Sequence, residues 1–225
     1  MKRYFTILIA LAIGFNLSAQ DTLSVQQSTD TLTGAAKHYA MKIVFKNMMY
    51  KETPVSGLLK PNMSMTKYQV DISGNGLALT GMVNSKELKT SFDLSFDGKP
   101  ITGEMKMPLA GDNYKWNVDF LNSNITGGIK LNITHTKAAF NLKSDKYNVT
   151  GEVKDKTNSV YYNIKINGKS VKGRIKTQLD HDLTYNLTLD NLNKDELALF
   201  FLIESIRIIA LDKESADEFQ NGNGF

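Results

Sequence analysis

Asp180-His181-Asp182 is the one place in this 225-residue chain where a histidine stands beside carboxylates. General acid–base catalysis or a relayed nucleophile would start from such a trio. On a strand, however, neighbouring side chains point to opposite faces, so the two aspartates share a face that His181 does not. The run also reads as a turn. His38 precedes the first strand and has no partner in sequence, and His135 reads as a strand-end histidine in Asn132-Ile133-Thr134-His135. The chain has no cysteine, which excludes disulfides, thiolate metal sites and cysteine nucleophiles. No glycine-rich phosphate loop stands between a strand and a helix, and there is no Gly-x-Ser-x-Gly elbow. The expectation is a protein with no catalytic residue, no metal and no cofactor.

The spacing that does recur belongs to glycine. Val55-Ser56-Gly57-Leu58-Leu59, Leu79-Thr80-Gly81-Met82-Val83, Ile101-Thr102-Gly103-Glu104-Met105 and Ile125-Thr126-Gly127-Gly128-Ile129 share one pattern. Val149-Thr150-Gly151-Glu152-Val153 and Val171-Lys172-Gly173-Arg174-Ile175 continue it. The glycines lie 24, 22, 24, 24 and 22 residues apart, every interval even. An even interval keeps each glycine on the same face of a period-two chain. Asp97-Gly98 and Asn167-Gly168 sit between alternating runs, and such pairs supply the two positive φ angles of a type I′ hairpin turn. Each repeat is therefore two strands and two turns.

The runs between the turns alternate. Tyr114, Trp116, Val118 and Phe120 share one face, and Lys115, Asn117 and Asp119 share the other. The fold expected is mainly β: an up-and-down antiparallel meander of about 11–12 strands, curled into a barrel or half-barrel. The six glycines fall on the apolar face. They either form a trough across a concave surface or supply the bends that let the sheet curl. On the first reading, Gly57, Gly81, Gly103, Gly127, Gly151 and Gly173 line a ligand site with Trp116, Phe92, Phe140 and Tyr162. The nine methionines suit a core, and equally a surface for greasy ligands.

After Leu189 the period changes. Asn193-Lys194-Asp195-Glu196 resembles an N-cap with an acidic residue at the third helical position. From Leu197 to Leu211 only Glu204, Ser205 and Arg207 are polar. A helix apolar nearly all round must be buried or cross a membrane, and fifteen such residues fall short of the roughly 20 that span a bilayer. The helix is therefore expected in the concave face of the sheet, with Leu197, Phe200, Phe201, Ile203 and Ile208 as its plug. A membrane barrel would need aromatic girdles, which the aromatic residues do not form.

Met1-Lys2-Arg3-Tyr4, the apolar run Phe5–Phe15 and the small residues before Gln20 read as a secretory signal peptide cut after Ala19. The organisation expected is a signal peptide over 1–19, a flexible linker over 20–36, the repeated hairpin sheet over 37–192, a buried helix over 193–211 and an acidic frayed tail over 212–225. The mature chain is then periplasmic or secreted and not membrane-spanning. The Ser18-Ala19-Gln20 ending resembles signal peptides common in Bacteroidetes. Asp21-Thr22-Leu23 and Asp30-Thr31-Leu32 resemble the O-glycosylation sequon of that group, which would modify Thr22 and Thr31.

Between Gln20 and Leu189 there are 22 basic and 15 acidic residues, and from Asp190 onward 3 and 8. The basic residues fall mostly on outward strand positions. They either protect sheet edges from aggregation or attract anionic lipid head groups or lipopolysaccharide phosphates. Export and a small net charge argue against nucleic acid as a partner.

The segment Ile125-Thr126-Gly127-Gly128-Ile129-Lys130-Leu131 carries a resemblance of shape. Over residues 55–190 the chain resembles the curved antiparallel half-barrels of bacterial envelope lipid carriers, and the repeated-hairpin grooves of the AsmA and TamB type. That resemblance implies a lipid or another hydrophobic small molecule held in a curled sheet, with no ligand residue carried over. The terminal apolar helix departs from the groove proteins. It supports the alternative of a structural or interaction module of the cell envelope, with an envelope protein as partner and the barrel filled by its own helix.

Overall fold

The computed structural model describes residues 43–220, apart from 63, 65, 87, 109–111, 134, 135, 157, 158 and 178–182; from 210 to 220 it describes only the backbone course of a helix. The readings on residues 1–36, on Thr22 and Thr31, and on His38, His135 and His181 lie outside the described residues.

Thirteen strands follow one another: β1 (Ile43–Tyr50), β2 (Thr53–Pro61), β3 (Lys67–Gly74), β4 (Leu77–Lys86), β5 (Lys89–Phe96), β6 (Lys99–Lys106) and β7 (Asn113–Phe120), then β8 (Ser123–Leu131), β9 (Lys137–Lys143), β10 (Asn148–Lys156), β11 (Ser159–Ile166), β12 (Lys169–Thr177) and β13 (Leu183–Leu187). Each pairs antiparallel with the next, and β13 closes on β1. The sheet is a closed barrel. The sequence suggested 11–12 strands and left a half-barrel open. The count is thirteen because the six strands carrying the glycine motif are the even-numbered ones and seven strands without it alternate with and flank them. An odd number of up-and-down strands brings the first and last together running the same way. The seam is accordingly parallel, with Phe45 opposite Leu183 and Lys46 opposite Thr184.

Alternation sets inside and outside. On β7, Tyr114, Trp116, Val118 and Phe120 are buried while Lys115, Asn117 and Asp119 are exposed. The apolar face is the lumen, and the wall outside is polar. A membrane barrel has the opposite arrangement.

One end of the barrel is built from tight turns. Lys51-Glu52, Asn75-Gly76, Asp97-Gly98, Leu121-Asn122 and Asn167-Gly168 each have positive φ at both residues. This is the type I′ geometry expected at Asp97-Gly98 and Asn167-Gly168, and it matches the right-handed twist of the strands it joins. The opposite end, where even strands finish and odd strands begin, carries the longer connections over 62–66, 107–112, 132–136 and 178–182.

The chain leaves β13 at the tight-turn end and enters the lumen as α1 (Lys194–Gln220). Leu197, Ala198, Leu199, Phe200, Phe201 and Leu202 have no exposed surface on any side of the helix. The sequence placed the helix boundary at Leu211, and the helix instead continues to Gln220. No glycine or proline interrupts residues 195–220, so nothing local stops it. No helix among the described residues is long and apolar enough to cross a membrane.

Candidate functional site

Among the described residues the lumen is a large enclosed apolar surface, and the geometry of α1 decides what room remains in it. The helix is anchored where it enters. Asn193 Oδ1 accepts from the Glu196 backbone N–H at 2.9 Å, and Glu196 Oε2 accepts from the Asn193 N–H at 2.8 Å. This reciprocal pair is a capping box, and it satisfies helix N–H groups that have no partner within the helix. The same carboxylate accepts from Lys169 Nζ at 2.7 Å and from Asn167 Nδ2 at 3.1 Å, fastening the helix start to the β11–β12 turn. Burial works to raise the Glu196 pKa, but these donors outweigh it and hold the carboxyl below its ordinary value. Tyr50 Oη donates to the Leu192 carbonyl at 2.8 Å, and Lys194 Nζ to the Gly76 carbonyl at 3.1 Å. The chain therefore enters the lumen tied to three separate turns.

Deeper in, the polar residues of the apolar run form a cluster. Arg207 donates to Glu204 through Nε at 2.8 Å and a terminal nitrogen at 2.9 Å. Tyr162 and Tyr185 donate their hydroxyls to the same carboxylate, and Arg207 Nε also reaches the Tyr162 oxygen at 2.9 Å. Burial pushes both phenols well above their ordinary pKa. Burial works against the Arg207 charge too, but Glu204 outweighs it and leaves the guanidinium well above its ordinary value. Both tyrosines thus stay neutral donors, and Glu204 has donors from two strands and its own helix. A charge removed from water is tolerable only with such satisfaction. The sequence showed Glu204 and Arg207 as interruptions of an apolar run. Their spacing of three residues on a helix was the signal that they pair. Tyr185, on a strand distant in sequence, gave no such signal.

The other sequence-derived residues divide between wall and plug. Leu197, Phe200, Phe201, Ile203 and Ile208 are all buried on α1. Phe92, Trp116, Phe140 and Tyr162 are buried on the inner wall, on odd strands. In register they lie opposite Gly103, Gly127, Gly151 and Gly173 of the following strand. Phe92 and Trp116 also touch each other, ring centres 5.6 Å apart, and Tyr162 meets Phe200 edge-on at 5.9 Å. The glycines themselves sit at bends. Gly81, Gly103, Gly127, Gly151 and Gly173 have φ between +120° and +154°. At Gly127, an added Cβ would press on the Asn141 carbonyl oxygen and lie 2.9 Å from Leu142 Cα. The neighbouring backbone approaches because the strand kinks there, which is how a sheet this wide curls shut. Gly57 differs: its space is taken by the ring of Phe45.

Among the described residues, little volume is left beside α1. At the loop end, beside Ile206 and Arg207, a pocket of ≈ 40 Å³ opens between α1 and the wall, lined by Met105, Tyr114, Ile129 and Phe140. That holds a water or two, whereas small-molecule sites run to about 300–1,000 Å³. Outside, a hollow of ≈ 440 Å³ lies over Gly127 and Gly128, with Lys106, Lys115 and Asn117 in its wall. Near it Glu104 pairs with Lys89 and Lys106, and farther round the wall Glu152 pairs with Lys137 and Lys154. Hydrogen bonds from these lysines lower both carboxyl pKa values. No group of three or more metal-ligating side chains occurs among the described residues.

Comparison with protein-family models, curated proteins and solved structures finds no match to this chain.

Proposed function

We propose that this chain is an exported, non-enzymatic interaction module of the cell envelope, a barrel permanently filled by its own helix and acting through its outer surface. The observation that carries the reading is the burial of α1. From Leu197 to Leu202 every side chain is fully enclosed, and the pocket left beside the helix is ≈ 40 Å³. A lipid carrier built on the same barrel would have to withdraw the helix. That would expose Phe200, Phe201 and the leucines at about 1.5–3 kcal/mol per side chain, and it would break the bonds of Glu204 and Glu196. The filled barrel needs no such step.

The test is to purify residues 20–225 without detergent, extract the folded protein with organic solvent, and look for lipid by mass spectrometry. The filled-barrel reading expects no stoichiometric lipid. One acyl chain per protein would overturn it in favour of a carrier with a movable helix.

A further inference from the structure

The lysines of the outer wall are not spread evenly over the two ends of the barrel. Strand positions and connections within three residues of the loop end carry eleven lysines and six carboxylates, and the tight-turn end carries seven of each. At the loop end Lys60, Lys67, Lys86, Lys115, Lys130 and Lys176 are exposed and have no ion-pair partner among the described residues. They come from β2, β3, β4, β7, β8 and β12, and so ring the mouth. Protection of sheet edges does not account for them, since β1 closes on β13 and the barrel has no free edge.

Two connections at the same mouth present apolar side chains to water. Ile133, between β8 and β9, is 91% exposed, and Leu88, between β4 and β5, is 47% exposed. Elsewhere among the described residues isoleucine and leucine are buried almost throughout. A ring of unpaired cations around protruding aliphatic tips suits one kind of partner. Lysines are drawn to an anionic bilayer surface, and aliphatic tips gain by entering the head-group boundary. A nucleic acid or a free polyanion would reward the lysines and leave the tips in water.

We propose that the lysine-ringed loop end is a docking face for an anionic lipid bilayer, with the barrel axis steep to the membrane and Leu88 and Ile133 as shallow insertions. The inference rests on the filled-barrel reading, because the lipid is met at the outer face and not taken inside.

The experiment is flotation of the full mature chain with phosphatidylglycerol-rich vesicles and, separately, with phosphatidylcholine vesicles. Binding is expected to the anionic vesicles only, and to weaken as salt is raised. The combined variant K60E/K67E/K130E/K176E should lower affinity by more than about a hundredfold, at about fivefold for each lysine near the surface. K51E/K99E/K143E, at the other end, should leave it unchanged. L88S/I133S should bind at low salt and release at moderate salt. Deleting residues 211–225, which removes four acids and one lysine, should strengthen binding. Retention of the parent melting curve shows that a variant is folded. The proposal falls if the parent ignores anionic vesicles, if the tight-turn variant loses binding as much as the loop-end one, or if the tail deletion weakens it. It falls also if L88S/I133S behaves as the parent while soluble polyphosphate competes fully, which would mark a general polyanion site. Lipid extracted from inside the folded protein would overturn the filled barrel without touching the flotation result, so the two failures are distinguishable.

Discussion

Arg207 grips Glu204 through two nitrogens, at 2.8 and 2.9 Å, inside a lumen lined mostly by apolar side chains. Glu204 is 1% exposed. Removing one partner leaves the other as an uncompensated buried charge, at a cost of about 3–5 kcal/mol. Replacing both with apolar residues of similar size removes the desolvation penalty along with the attraction. Denaturant melts are therefore expected to show R207M strongly destabilised and E204M/R207M less so, its remaining loss coming from the Tyr162 and Tyr185 hydroxyls left without their acceptor. Equal destabilisation by the single and double variants would mean that the pair adds stability outright.

The capping carboxylate gives a pH signature. Glu196 is held below its ordinary value, so its stabilisation is present above about pH 4.5 and is lost as pH falls through the lower folded-state value. Stability followed by urea unfolding across pH 3–6 is expected to drop on the acid side, as the Glu196 carboxylate is protonated and its donors lose their acceptor. The difference between the parent and E196Q should narrow as pH falls. A constant difference would place the acid sensitivity elsewhere.

Two glycines separate conformational strain from collision. Gly98 has φ +78° and an added Cβ there meets nothing within 4 Å, whereas Gly127 combines φ +144° with the backbone of Asn141 and Leu142. G98A is expected to cost about 1 kcal/mol from the left-handed turn alone. G127A should cost about 3 kcal/mol or more, since the neighbouring strand must also move. Similar melting points for the two variants would argue against glycine as the device that closes the barrel.

The plug can be opened and relieved at single sites. Phe200 is fully buried against Tyr162 and Phe201. F200A is expected to lose about 3–5 kcal/mol and to leave a dry cavity that a small apolar probe such as benzene refills, raising the melting temperature. Ser205 Oγ is buried with no hydrogen-bond partner among the described residues. S205A is expected to be neutral or to stabilise by about 1 kcal/mol, because it removes an unsatisfied polar atom. A clear loss of stability in S205A would mean that the hydroxyl has a partner.

Much of this architecture could be read locally. Period-two alternation on β7 separates lumen from wall, because a strand has only two faces. The even glycine spacing keeps every bend on one face, and Asp97-Gly98 and Asn167-Gly168 specify their turns through φ alone. The Asn193–Glu196 cap and the all-round apolar helix likewise follow from residues close in sequence. What tertiary structure decided is whatever depends on closure. Thirteen strands instead of 11–12 follow from β1 and β13 flanking the glycine repeat and meeting in parallel, and no local signal links two segments so far apart. Tyr162 and Tyr185 meet Glu204 only once the helix is threaded through the barrel, which brings two strands and a helix to one carboxylate. Lysines separated by dozens of residues become a ring only because alternate strand ends gather at the same mouth. Sequence periodicity fixes which face a side chain takes; closure of the sheet fixes which distant side chains it meets there.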